Sequence, residues 1–325
     1  MNNKKLLILF TTLLALASCG DDGEDIIIER GKKTDNAETT TSTVNENRNT
    51  WGPQEAQTRY EFPQLNPAGK IIVHRAELNN KTGETGVNYC TEWAPALHGQ
   101  RWSCYQMYSS INYHQQTNVV RYKADNDGSL SAECQYPNDP DLPAEYRFTA
   151  DPYKYNNYDH GHICPSADRL RSTKANYQTF YITNMQPQRN KFNAGIWEVM
   201  ENQVRTWASQ NDTLFVCKGG TIDKESDIIE YLTDQIKHEN RIPVPRYFFM
   251  AVMAKNGSKM KAIGFWVEHL NEDHSTDALR GYAMNIAQLE SRTGLDFFCN
   301  VPDETEQTIE NVTWSQMLSE WPFIQ

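Results

Sequence analysis

Asp159-His160-Gly161-His162 puts one carboxylate and two imidazoles within four residues. An imidazole titrates near neutrality, so it can take a proton from water at physiological pH. Further along, Asn193 offers a neutral oxygen, Glu201 a carboxylate and Arg205 a permanent positive charge. Hydrolysis of a phosphodiester needs such a set: a base for the water, a hard cation held by one or two protein oxygens, and charge facing the phosphate. Each residue taken singly also has a plainer reading. His160 and His162, two apart on a strand, point to one side, and with Asp159 or Cys164 they would suit zinc, although a structural zinc site wants four protein ligands. Asn193 suits a helix cap, Glu201 a solvated helix position, and Arg205 a partner for Glu201 four residues away. Trp197 reads as core, and Cys164 as a disulfide partner or buried thiol.

The elements that must position these residues are legible in outline. Lys70–Val73, Arg101–Tyr108, Thr179–Thr183 and Leu214–Cys217 read as strands from their β-branched and aromatic content. Tyr247–Ala254 and Ala262–Val267 read as a strand pair around Asn256-Gly257. Asp125 to Gly128 is a turn cluster, and Asn138 to Pro143 a loop. Ile196–Ala208 reads as a helix whose core stripe is Ile196, Met200, Val204 and Trp207. Asn193, Trp197, Glu201 and Arg205 recur every four residues, so they form a row beside that stripe, with Asn193 and Glu201 on one cleft wall. Ser275 or Thr276 can cap a helix ended by Gly294, and Thr313 with Gln316 has capping-box spacing for a last helix. The class is α+β, a mainly antiparallel sheet flanked by helices.

Three blocks carry a resemblance. Tyr158 to Arg169 (Tyr-Asp-His-Gly-His-Ile-Cys-Pro-Ser-Ala-Asp-Arg), Phe180 to Gln188, and Phe192 to Trp197 followed by Glu201 and Arg205 resemble, in order and spacing, the DNA/RNA non-specific endonucleases of the Serratia nuclease and endonuclease G type. Gly219-Gly220-Thr221 and Pro243-Val244-Pro245 extend the likeness weakly through most of 59–325. The resemblance implies a ββα-metal fold. It implies His162 as general base, Asn193 as direct ligand of Mg²⁺ (or Mn²⁺), and Glu201 as the acid that orients metal-bound water. It implies Arg205 as a phosphate contact, with Asp159 and Asn184 in support. DNA and RNA would be the substrates, with 5′-phosphate products. At His160 the family usually has arginine. Histidine is shorter and only partly charged at pH 7, so arginine's two-pronged phosphate grip is lost. Either His160 substitutes at some cost, a neighbour such as Arg169 or Arg189 compensates, or substrate preference has shifted. Two other readings follow: a catalytically weak or inactive surface ligand-binding lipoprotein of the same fold, and a phosphodiesterase for small nucleotides.

The N-terminus looks like targeting sequence. Lys4 and Lys5 precede the apolar run Leu6–Ala17, which is short for a bilayer span. Leu16-Ala17-Ser18-Cys19 resembles a lipobox, which implies a signal peptide over 1–19 and lipid on Cys19. The chain is then expected to be exported and held on a bacterial membrane by that lipid alone, with the cell surface of a Gram-negative as one destination. Residues 20–58 read as a disordered tether, acidic at Asp21 to Asp25, and 59–325 as the nuclease domain. The formal net charge is −11; with nine acids and four bases in the tether and two lysines in the leader, the domain carries about −8. Tight non-specific binding by overall charge is thereby disfavoured. Between Asp159 and Arg205, however, six Lys/Arg face four acids, which leaves room for a local basic cleft. If Cys19 takes lipid, six cysteines remain, an even number that suggests disulfides in an exported chain. Oligomeric state is open.

Overall fold

The computed structural model describes residues 44–79, 83–115, 117–124, 134–233 and 241–322. Along the chain run α1 (Gln54–Thr58), β1 (Lys70–Asn79), β2 (Glu84–Ala94), β3 (Gly99–Tyr108), β4 (Asp159–His162), α2 (Thr173–Gln178), β5 (Met185–Gln188), α3 (Asn190–Phe192) and α4 (Glu198–Gln210). They are followed by β6 (Thr213–Gly220), β7 (Ile228–Leu232), β8 (Ile242–Pro245), β9 (Tyr247–Asn256), β10 (Lys259–Glu268), β11 (Ala283–Met284), α5 (Ile286–Thr293), α6 (Asp303–Glu310) and α7 (Trp314–Glu320). Seven strands form one antiparallel sheet in the order β1-β2-β3-β6-β9-β10-β11, while β4-β5 and β7-β8 are separate two-stranded ribbons. The α+β class with a mainly antiparallel sheet is what the pattern predicts.

Strand alternation makes the sheet a two-sided layer. On β9, Phe248, Met250, Val252 and Ala254 face one side, against Met200, Val204 and Trp207 of α4 and Trp321. Phe249, Ala251 and Met253 face the other, against Ile286 and Leu289 of α5, Ile309 of α6, Phe62 and Ala56. The helices that carry the candidate site therefore lie on the first face only.

Several expectations need correction. Thr179–Thr183 is no strand: it spans the end of α2 and the start of a 3₁₀ turn, Ile182–Asn184. A short apolar run does not by its period tell a strand from a buried helical turn. Helix α5 is capped by Asn285, whose side chain accepts from Gln288 N–H in a capping box, not by Ser275 or Thr276; it ends as expected at Gly294, in the left-handed region. Thr313 caps α7 through Gln316 N–H. Residues 44–58, expected in the tether, are packed: Asn45 Nδ2 donates to the carbonyls of Cys299 and Val301, and Ala56 is fully buried. The leader, Cys19, the rest of the tether and the Asp125–Gly128 turn lie outside the described residues. In place of disulfides, Cys90, Cys104, Cys134, Cys164, Cys217 and Cys299 are buried free thiols. Cys90 faces Cys104 in register, and Cys104 faces Cys217, where burial favours the neutral thiol.

Where β3 and β6 approach, Gly219 leaves no room for a side chain: a Cβ there would sit 2.1 Å from the Arg101 carbonyl oxygen and 2.9 Å from Phe249 Cζ. Gly219→Ala is expected to destabilise the protein by about 2 kcal/mol or more, because backbone must move to admit the methyl group. Urea unfolding of the two proteins measures this; a difference under about 0.5 kcal/mol would show that the strands part freely.

Candidate active site

The motif strand β4 pairs with β5, His162 opposite Met185 and Gly161 opposite Gln186. Gly161 is required by the approach of Gln188, whose Cδ would lie 2.2 Å from a Cβ at that position. The end of β4 is fastened by Asn184, fully buried. Its Oδ1 accepts from Cys164 N–H at 2.9 Å, and its Nδ2 donates to the carbonyls of Cys164 at 2.9 Å and Thr179 at 2.8 Å. Asn184 thus satisfies backbone groups that would otherwise be buried without partners, at about 1–3 kcal/mol each. Asn184 therefore sits directly against the end of the histidine strand.

His162 sits edge-on to Phe180, ring centroids 4.9 Å apart, and its carbonyl accepts from Trp197 Nε1–H at 3.3 Å. Its Nε2 is shielded from solvent and has no hydrogen-bond partner among the described residues. Burial, then the charges of Arg121 and His160, push its pKa down to about 3, so the imidazole is neutral at pH 7 with a lone pair to offer. Asp159 Oδ2 accepts from Asn193 Nδ2 at 3.1 Å and from Asn190 Nδ2 at 3.0 Å. That contact fixes the Asn193 amide and turns its oxygen away from the carboxylate. A neutral amide oxygen suits a hard divalent cation such as Mg²⁺ or Mn²⁺, which takes only one or two protein oxygens and keeps most of its waters. The zinc alternative finds no support: neither His160 nor His162 belongs to a cluster of potential metal ligands among the described residues.

Asn193 and Glu201 are not on one continuous helix. Asn193–Trp197 is a π-helical segment broken at Gly195 (φ −111°, ψ −115°), and α4 starts only at Glu198. The four-residue row is therefore interrupted, and its members turn to different partners. Trp197 is core, as expected. Glu201 Oε1 accepts from Lys218 Nζ at 2.7 Å, and its Oε2 from Arg205 at 3.4 Å. Arg205 donates through Nε to Asp168 Oδ1 at 2.6 Å and through a terminal nitrogen to Asn202 at 2.8 Å. Only 7% exposed, Arg205 is occupied in an interior ion network, so the i,i+4 pairing with Glu201 is realised. Lys218, fully buried, lies 4.5 Å over the Trp197 ring. Burial pushes the Glu201 carboxyl up, and Lys218 and Arg205 oppose that shift. Sequence reasoning missed Lys218, although strand period alone puts it on the same face as Leu214 and Val216, under α4.

His160 is held differently again. Its ring stacks on Tyr136 at 3.6 Å (interplanar 4°) and on Tyr153 at 4.3 Å, and its Nε2 lies 3.0 Å from both oxygens of Asp151. Burial works against the Asp151 charge, but the bond and charge of His160 keep its carboxyl below the usual range. Tyr136, Tyr153 and Asp151 come from a loop with no periodic signal, and the sequence reading missed them. Of the arginines expected to compensate for the change at 160, Arg169 is buried with its guanidinium 4.5 Å over Tyr105. Arg189 lies 5.7 Å over Tyr158. Arg121, also missed, is exposed, and its charge reaches His162.

The start of α3 hangs on His269. Its Nε2 accepts from Arg189 N–H at 2.7 Å, so its Nδ1 is the protonated nitrogen and donates to the Pro245 carbonyl at 2.8 Å. Burial, chiefly, lowers its pKa to about 4. His162 and His269 thus stay neutral in the fold at pH values where the unfolded chain protonates them, near 6.5. Stability is full above pH 6.5 and falls as pH drops toward 4. Measured between pH 7.5 and 5 by urea unfolding, the decline is expected to be shallower in His269→Gln than in the parent; equal slopes would refute the assignment.

The model of the DNA/RNA non-specific endonuclease family matches residues 97–304. A nuclease of Nostoc sp. is 30% identical over 192 residues, covering 57% of this chain and 66% of that protein. Nuclease C1 of Cunninghamella echinulata is 27% identical over 175 residues (53% and 69%). Human mitochondrial endonuclease G is 26% identical over 172 residues (52% and 58%). The similarity therefore spans between 58% and 69% of these relatives' own lengths. The crystal structure of an EndoG/EndoGI complex superposes with a TM-score of 0.55 at 18% identity, over 66% of this chain and 84% of the other, which shows a shared fold. A match over more than half of the sequence, on the stretch that holds β4, Asn193 and the buried network, makes this chain a member of the DNA/RNA non-specific endonuclease family.

Proposed function

We propose that this protein is a metal-dependent nuclease that hydrolyses phosphodiester bonds in DNA and RNA without strong sequence preference. One observation carries the reading: the unpartnered Nε2 of a neutral His162 stands on the strand whose Asp159 fixes the amide of Asn193. His162 accepts a proton from the attacking water at Nε2. Asn193 would hold Mg²⁺ (or Mn²⁺) by its side-chain oxygen, with Asp159 fixing that amide. The cation, when bound, would supply charge neutralisation at the phosphoryl oxygens. Glu201 orients water near the ion only if its carboxylate leaves Lys218; with both oxygens engaged, we assign it and Arg205 chiefly to holding α4 on β6. Arg121 supplies the phosphate-facing charge that His160, committed to Asp151, does not.

The full chain is expected to cleave plasmid DNA and ribosomal RNA with Mg²⁺ and to stop in EDTA. His162→Ala is expected to lower kcat by roughly 10²–10⁴-fold, and Arg121→Ala kcat/KM by roughly tenfold or more. Unchanged activity in His162→Ala defeats the mechanism. Cleavage of a small phosphodiester alone would point to the phosphodiesterase reading, and no cleavage at all to a ligand-binding role.

We further propose export and membrane attachment through lipid on Cys19. In cells, Cys19→Ala is expected to move the protein from the membrane to the soluble fraction; unchanged fractionation argues against the anchor.

A further inference from the structure

On the sheet face away from His162, four carboxylates converge. Glu290 lies on α5, Asp296 follows it, and Glu306 and Glu310 lie on α6. These elements pack through Leu289, Phe297 and Ile309 into the second core, whereas Ile163 and Trp197, which flank the candidate active site, belong to the first. One oxygen each from Glu290, Asp296 and Glu310 lies within 4.8 Å of the others. Two oxygens on opposite sides of a single calcium ion, each bound at about 2.4 Å, are separated by about that distance.

A second observation points into the same place. Glu306 is 4% exposed and Glu310 8%, yet Oε1 of each is buried without a donor among the described residues, and so is Asn47 Oδ1. The cluster's hydrogen bonds are few: Phe297 N–H to Glu290 at 2.7 Å, and Asn47 Nδ2 to Asp296 at 3.1 Å and to Glu306 at 3.0 Å. The charges that act on Glu290, Glu306 and Glu310 are those of other carboxylates. Buried carboxylate oxygens that no donor meets suit a cation. A half-turn of the Asn47 amide exchanges its idle oxygen for the nitrogen that now bridges Asp296 and Glu306.

We propose that Glu290, Asp296, Glu306 and Glu310, with Asn47, bind a hard divalent cation, calcium, which staples residues 44–49 to the loop and helices at the C-terminal end. The donors are all oxygen, which excludes a preference for soft metals. Four carboxylates and an amide exceed the one or two protein ligands magnesium takes and suit the six to eight of calcium. The staple adds to bonds already made by this segment, from Asn45 to Cys299 and Val301 and from Asn49 to Ala56 and Pro63.

The test uses the full chain carrying Asn193→Ala, so that the proposed active-site ligand is gone, stripped with EDTA and dialysed against CaCl₂ at pH 7.5. One calcium per chain is expected, with a higher Tm than in EDTA. Glu290→Gln/Glu310→Gln keeps the shapes and removes repulsion, so its Tm in EDTA is expected to equal or exceed the parent's. It should bind calcium at least about tenfold more weakly, because affinity follows ligand charge, and lose the calcium-dependent rise in Tm. Glu310→Gln alone gives the same comparison with one charge fewer removed. No bound calcium in the Asn193→Ala chain, or unchanged binding in the glutamine variants, overturns the proposal.

Discussion

Glu201 enters the interior as a carboxylate, and the cost of that burial organises what surrounds it. An unpaired buried charge is worth several kcal/mol of instability. Here it is met by Lys218 from β6 and by Arg205, which is itself met by Asp168 in the turn after β4. Lys218 also lies over Trp197, a contact worth up to about 2 kcal/mol when desolvated. Four charges therefore tie the sheet, α4 and the segment that follows the motif into one geometry. No member can be removed without stranding another, so α4 has one position relative to β6.

The motif strand is fixed from its other end by a neutral device. Asn184 spends its amide on the backbone of Cys164 and Thr179, and Trp197 grips the carbonyl of His162. Four residues of strand cannot hold a register by their own hydrogen bonds. With Asn184 at one end, Gln188 filling the space over Gly161, and His269 holding Arg189 at the head of α3, the ribbon presents His162 Nε2 and the Asn193 amide on a fixed frame. Preorganisation of this kind is what an active site requires, because a shift of about 1 Å in a reacting group costs orders of magnitude in rate.

What could be read from the sequence was what is local. The turn Asn256-Gly257, the stop at Gly294 and the cap at Thr313 depend on neighbouring residues, and the structure has them where the sequence says. The row Asn193-Trp197-Glu201-Arg205 assumed an unbroken 3.6-residue period, and Gly195 breaks it. Glycine there admits a backbone conformation that a continuous helix forbids. Strand period puts Lys218 under α4, but that it and Asp168, fifty residues apart, bond to Glu201 and Arg205 in one network is set only by the fold. Residues 44–58 misled for a related reason: their polar composition suits solvent, but the Asn45 amide donates to the carbonyls of Cys299 and Val301, and that of Asn49 to the carbonyl of Pro63.

His160 shows how one change in a motif can move a function rather than delete it. An arginine at this position would carry charge outward on a long stem. The imidazole instead fits flat between Tyr136 and Tyr153 and binds Asp151, so the position now holds a loop against the motif strand. Stacking on two rings and a charge-assisted bond stabilise that arrangement. Charge toward a phosphate must then come from a side chain that the interior has not claimed. Arg169 and Arg205 are buried and committed, whereas Arg121 is exposed and near enough for its field to lower the His162 pKa, which is why the proposed function gives it that task. On the proposed function, a cation in that place has two effects that pull together: it keeps His162 unprotonated, and it would offer the phosphate a partner beside the base.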